Sequence, residues 1–440
     1  MSRFLTRNDE NASLENFYSN LSIGLEEEML LVKDADDEVD QALVEVEQAE
    51  SAENVVAAAD QTDDMIVKNN GELDENGVIA VDNLTTAASI IATDDGAVNP
   101  GDPLNEAETD KLIPVVESSG KYYVSIESFR ETFAKIKKKI LEIVASIWAR
   151  IKAAYRKYFG AYTSLMKRAK DIETRADNMS GKIIDSAHKT FEITSGAQYL
   201  SLGNTEPTTN AAGVTAALDV VGKIGNKKIL TTLKDLGKSL LESVKGADFS
   251  TEADKDSAVS TLLTALTKSL TQMGTVGIPD KFIGHTEYSV DITNVASTAT
   301  PTEELNIILQ DRIRINEGDG KLKDSYKFTT MSVSDVKKIA STIHDHAKSL
   351  KGYEVGMDEL EKTQKDLASA SNTLETKANK ADSAEDKVEG IVAAYNAIVR
   401  SNTYFANNVS SLAKMLKLST GVLQNSLFWC TKSLDLHKSK

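Results

Sequence analysis

Apolar residues recur at helical spacing through much of the chain, most regularly between Ser125 and Ser180. Phe129, Phe133, Ile136, Ile140, Ile143 and Ile147 alternate steps of four and three, the spacing that keeps one stripe of a helix facing a partner. A four-residue step to Ile151 follows, and the seam resumes through Ala154, Tyr158, Tyr162, Leu165, Ala169, Ile172, Ala176 and Met179. The supercoil is therefore expected to shift between Ile147 and Ile151. No proline interrupts the stretch, so one helix on the order of 70 Å long is predicted, with Gly160 its weakest point.

Less regular patterns flank it. Phe4, Leu5, Leu14, Phe17 and Leu21 suggest a short first helix, and residues 26–60 hold part of a seam (Val32, Val39, Ala42, Val46) in a setting too acidic for a firm core element. Residues 61–120 read as loop, punctuated by Asn69-Asn70-Gly71, Asp94-Asp95-Gly96, Pro100, Pro103 and Pro114. Beyond the long helix a linker over 195–213 leads to small-residue helices with Leu230, Leu233, Leu236 and Leu240 in register, then Leu262, Leu263, Leu266 and Leu270. Gly277, Pro279 and Gly284 break the helical pattern, and Glu287 to Ile292 alternates like a strand. Helix returns at Ser332 to Leu350, capped by Ser332 or Ser334. The sparse Leu360, Leu367, Leu374, Ala378 pattern suggests an exposed coiled coil, and the more apolar stretch from Ile391 to Leu423 is suited to packing on the long helix. The expected fold is mainly α: an elongated helical bundle or coiled coil built on one long basic amphipathic helix, with a small β-containing insertion and a disordered acidic N-terminal arm. Its parts are the arm (1–127), the basic helix (128–195), a small-residue helical region (196–275), the mixed insertion (276–330) and the C-terminal helices (331–440).

Charge sharpens this division. The 440 residues carry a formal charge of −17, yet residues 1–120 alone hold 29 acidic against five basic residues. The remainder is therefore net positive. From Glu127 to Asp171 twelve Lys or Arg face four acids, a local charge of +8. A strongly acidic arm tethered next to a basic helix is positioned to screen it. The single cysteine, Cys430, excludes an intramolecular disulfide framework and fits a reducing compartment. No apolar run is long enough to span a bilayer, and the N-terminal stretch lacks the apolar centre of a signal peptide.

Catalytic chemistry finds little support. Leu236-Gly237-Lys238-Ser239 resembles the end of a phosphate-binding loop, but Thr232 stands where the motif needs its first glycine, and no strand leads into it. His344 and His346, two apart on a helix, point about 200° away from each other and cannot share a metal unaided. No enzyme, cofactor or metal is expected. The basic helix has three readings. Its charge run can simply be a solvated face. Lys135, Lys137, Lys138, Lys139, Arg150, Lys152, Arg156 and Lys157 are also suited to neutralising DNA phosphates without base specificity. The same stretch, with Trp148, Tyr155, Tyr158 and Phe159 among its cations, has the composition of a helix lying on a membrane surface. The sequence leaves these open.

An acidic arm, a tripeptide ending in Glu and then a basic helix of the KIKKKI…IWARIK…YRKYF kind resembles the internal head proteins of giant tailed bacteriophages of the phiKZ type. The resemblance covers roughly residues 1–180. It implies that the arm is a propeptide, removed by a phage maturation protease after a Glu preceded two residues earlier by a small residue. Ser125-Ile126-Glu127 fits that pattern immediately before Ser128, with Val115-Val116-Glu117 as the alternative. The same loose tripeptide occurs elsewhere, Ser51-Ala52-Glu53 included, so position carries the assignment. The implied function is a non-enzymatic structural protein, made in the host cytoplasm and carried inside the head, associated with packaged DNA or ejected with it. Its implied partners are prohead components, the protease and duplex DNA, with self-association through the seam or a membrane surface also open. The alternative function is a soluble precursor of a membrane-active helical protein whose arm masks the cationic helix.

Overall fold

Residues 32–59 form the first helix, α1, in the computed structural model of the protein, which describes residues 32–59, 62, 66, 69, 71–93, 115–116, 122–184, 189–193, 196–245, 252–293, 301–319, 321–323, 325–380 and 385–439. The short helix expected near residues 1–24 lies outside them. Strand β1 (Glu72–Leu73), helix α2 (Glu75–Thr93), and strands β2 (Val115–Val116) and β3 (Tyr122–Tyr123) follow, the strands pairing antiparallel in the order β1-β3-β2. The expectation of loop throughout 61–120 fails at α2. Asp74 caps that helix by accepting a 2.7 Å hydrogen bond from Gly77 N, and Val81 and Leu84 are buried.

The long helix is α3 (Ile126–Asp177), 52 residues or about 78 Å at 1.5 Å per residue. It ends at Asp177, not near 195; the chain continues into β4 (Met179–Ile183) and β5 (Thr190–Ile193). Every expected seam residue from Phe129 to Met179 is buried except Ile143, whose place is taken by Val144. The buried row thus takes two consecutive steps of four at Phe133 to Val144's turn, Ile136 to Ile140 and Ile140 to Val144, so the first shift precedes Ile147. Trp148, Tyr155 and Phe159 are buried as well. The stripe is wider than a coiled-coil seam because α3 meets several helices and not one.

A short 3-10 turn (Ala197–Leu200) precedes α4 (Ala211–Gly225), α5 (Lys228–Lys245) and α6 (Glu252–Gly274). The insertion then holds β6 (Lys281–Phe282), β7 (Thr286–Val290), α7 (Pro301–Ile308), β8 (Ile313–Glu317) and β9 (Tyr326–Thr329). Strands β6, β7 and β8 form a three-stranded antiparallel sheet, and β9 pairs with β5. The chain closes with α8 (Val333–Lys351), α9 (Glu354–Lys380), α10 (Glu385–Asp435) and β10 (His437–Ser439), the last pairing with β4. Ser332 caps α8, accepting from Asp335 N.

Helix α10 runs through the centre. From Val399 to Leu434 it is buried on nearly all sides and packs on α3, α8, α9 and α5. Of its many buried small polar residues, Ser410, Ser419 and Thr420 each donate to the carbonyl four residues back within the helix. Others hold the insertion in place. Asn408 accepts from Ile313 N (3.3 Å), Ser411 donates to Ile313 O (3.0 Å) and Trp429 donates to Thr329 O (2.9 Å).

The expected exposed coiled coil also changes character. In α9 the residues Met357, Leu360, Gln364, Leu367 and Ser371 step by three and four and are all buried; Gln364 and Ser371 bond to the two ends of the Asn402 amide on α10. Two polar residues within the seam made its pattern look sparse. Leu360→Ala should therefore cost about 2–5 kcal/mol. Lys362→Ala, on the exposed side, should stay within about 0.5 kcal/mol. Urea denaturation of the two variants compares them, and equal midpoints would show that the α9 seam is not core.

Candidate functional site

The acidic arm and the basic helix meet along α1. This helix holds nine acidic residues and one basic residue, Lys33. Val32, Ala35, Val39, Ala42, Val46, Ala49, Glu53 and Val56 alternate steps of three and four and are all buried, an unbroken heptad seam. The reading of residues 26–60 as too acidic for a core element fails here. The other acids lie beside the seam, where Asp34, Glu38, Asp40, Glu45 and Glu50 pair with cations, and only Glu53 lies in it.

One flank of α1 faces α3. Arg150 Nε bonds Glu45 Oε1 at 2.7 Å and its Nη1 reaches Glu38 Oε2 at 3.2 Å, while Ser146 Oγ donates to Glu45. Lys157 lies 3.7 Å from Asp34. Glu38 and Glu45 are seven residues apart, one heptad, which is why one arginine serves both. The other flank faces α10 and the insertion. Lys417 bonds Asp40 at 2.6 Å, Glu50 takes Arg312 and the Asn407 amide, and Glu53 lies beside Thr403 and Arg400. Between the flanks, Tyr158 donates to Asp36 at 2.7 Å and Tyr199 at 3.4 Å.

Magnitudes separate the two contributions. Burying a valine is worth about 1.5 kcal/mol, so Val32, Val39, Val46 and Val56 together supply on the order of 6 kcal/mol. A partly exposed ion pair supplies about 0–1 kcal/mol. The apolar seam holds the helix, and the charges select the groove it enters.

The sequence-nominated cations divide accordingly. Arg150 and Lys157 are engaged by the arm; Lys152 bonds Glu361 of α9 at 2.6 Å, within the body. Lys137 is buried, Lys135 and Lys139 are half-buried, and Lys138 and Arg156 are exposed. They do not form one surface. Arg312, Lys414 and Lys417 were not nominated; the recurrence of α1 acids one or two heptads apart (Glu38 and Glu45, Asp36 and Glu50) was the available signal for a charged partner surface. The aromatic residues needed for membrane insertion, Trp148, Tyr155, Tyr158 and Phe159, are inside the fold, Trp148 stacked on Phe405 of α10. Among the described residues no helix is long and apolar enough to cross a membrane.

At the proposed processing point Ser125 is exposed, and Glu127 and Ser128 lie in the first turn of α3; Glu117, the alternative, lies outside the described residues, directly after β2. Gly237 is inside α5, where a Cβ would come 2.7 Å from the Phe405 ring, so close helix packing accounts for the glycine and no phosphate loop exists there. His344 lies 3.1 Å from Asp345, whereas His346 packs against Gly222 of α4. Among the described residues no group of His, Cys, Asp or Glu is arranged to hold a metal.

Two carboxyls make the docking of α1 sensitive to pH. Burial raises Asp36 to about 6, against the lowering effect of Tyr158 and Lys417, and burial raises Glu53 to about 8, against Thr403 and Arg400. Both bind protons more tightly docked than free. Their contribution to docking is complete below the ordinary carboxylate range and is lost as pH rises through about 6 for Asp36 and about 8 for Glu53. Amide-exchange protection of residues 32–59, corrected for the intrinsic rate, should fall between about pH 5 and pH 8.5, and Glu53→Gln should flatten the upper part of that fall. A pH-independent protection in the unaltered chain would contradict this.

The chain matches the family of phiKZ-like phage internal head proteins over residues 115–424. The match begins near the charge boundary and takes in α3, the insertion and most of α10. No curated protein and no solved structure matches the chain. A match over this share of its length, on the helices that build the core, places the chain in a family by descent and not by composition: it belongs to the phiKZ-like phage internal head proteins.

Proposed function

We propose that the protein is a non-enzymatic structural component of the head interior, made in the host cytoplasm as a precursor, whose acidic arm is removed by proteolysis after Glu127 so that the remaining body can associate with packaged DNA. The observation that carries this reading is the docking of α1: the arm's carboxylates engage Arg150, Lys157, Lys417 and Arg312, which belong to the part of the chain that would remain. A cut after Glu127 separates α1, α2 and the β1-β3-β2 sheet from α3 onward. It removes the excess of acid and leaves a body of positive charge, which favours a polyanion where the precursor repels one.

Cleavage there requires the first turn of α3 to open, because a protease takes its substrate as extended chain. That turn is at the end of the helix, where fraying costs least. Cleavage after Glu117 would need no such opening and would leave β3 on the body.

The N-terminus and intact mass of the protein from mature particles test the reading. A chain starting at Ser128, or near Ser118, is expected; a full-length chain in mature particles would overturn the propeptide assignment. The mature species should also bind duplex DNA with an affinity that falls steeply with salt, by roughly one logarithmic unit per logarithm of salt for each phosphate neutralised. Binding indifferent to salt would rule out backbone contacts as its basis.

A further inference from the structure

We infer that the groove occupied by α1 is itself the nucleic-acid site: the cations that now hold the arm's carboxylates, Arg150 and Lys157 on α3 with Arg312, Lys414 and Lys417 opposite, form a track for the phosphates of duplex DNA, and α1 is its resident competitor. This rests on the proposed association with DNA and relocates it. The lysine run at 135–139 is the densest in the sequence, but Lys137 is buried there and Lys135 and Lys139 are half-buried.

The geometry supports the choice of ligand. Cations stand on both sides of α1, and the acids that meet them run from Asp34 to Glu50, about 24 Å along a helix. That is the length of about seven base pairs at 3.4 Å each. Lys414 belongs to the same set: it donates to Ile315 O at 2.9 Å, burial pulls its pKa down, and Glu317 of β8 together with Asp40 and Glu47 of α1 acts against that fall. Removing α1 leaves these five cations without the carboxylates of Asp34, Glu38, Asp40, Glu45 and Glu50. A phosphodiester backbone offers the same anionic oxygens at a density that no neutral or apolar partner supplies.

The energetics explain why processing is needed. While the chain is intact, α1 competes as a tethered ligand, and its seam adds apolar burial that DNA does not match. Cutting the tether makes α1 a separate molecule whose binding bears the translational and rotational cost of association. Docking then becomes concentration-dependent, and DNA can replace it.

The test starts from the folded full chain carrying a specific protease site inserted between residues 94 and 114. After cleavage, binding of a duplex of about 20 base pairs is measured by fluorescence anisotropy while the released arm fragment is followed by size-exclusion chromatography. DNA binding and loss of the fragment should occur together, and adding fragment back should raise the apparent Kd for DNA in proportion to its concentration. Lys417→Gln with Arg312→Gln should weaken DNA binding about tenfold, and Lys138→Gln with Arg156→Gln should change it by less than about twofold. DNA bound with the fragment still in place, or binding that follows Lys138 and Arg156 and ignores the groove pair, would overturn the site while leaving DNA association intact. No DNA binding by the fragment-free body would overturn both the site and the DNA association it rests on.

Discussion

A helix of 52 residues with an apolar stripe along its whole length is stable in water only if that stripe is covered from end to end. This requirement on α3 organises the rest of the molecule. Helices α8, α9 and α10 cover most of the stripe, and α10, lying between α3 and the other helices, becomes the interior of the protein. Interior position explains its composition. Small hydroxyl and amide residues allow close approach of several neighbours; Ser410 and Ser419 bond the helix's own carbonyls, and Asn408 and Ser411 bond the edge of the insertion.

The arm enters the same arrangement as one more helix. Its valine and alanine seam is narrow, which lets α1 settle close against α3 and α10, and the acids on either side meet cations of α3 on one flank and of α10 and the insertion on the other. The combination has a functional consequence. A purely electrostatic mask would come and go with salt, and a purely apolar one would have no preference for the basic groove. Seam and flanking charge together hold α1 firmly and in this groove in particular.

The position of Glu53 adds a polar residue to an otherwise apolar seam. In heptad assemblies a single polar residue at such a position fixes register at a cost in stability. Here it sets Glu53 against Thr403 and Arg400 and leaves the arm held less strongly than an all-valine seam would hold it.

The sequence by itself determined the long helix, its seam apart from Ile143, the charge boundary near residue 120, a strand expected at 287–292 and found at Thr286–Val290, and a cap at Ser332 or Ser334 that falls on Ser332, because each depends on residues close together in the chain. It also carried the family, which the match over residues 115–424 shows. The tertiary structure decided which cations share a surface. Lys135 to Lys139 are neighbours in sequence but point around a helix, whereas Arg150, Arg312 and Lys417 are far apart in sequence and come to one helix, α1, from α3, the residue before β8, and α10. It likewise decided that two patterns weakened by polar residues, those of α1 and α9, are core. Hydrophobic periodicity records where a side chain points, but whether an acid or an amide is tolerated there depends on the partner it meets, and that partner is supplied by packing.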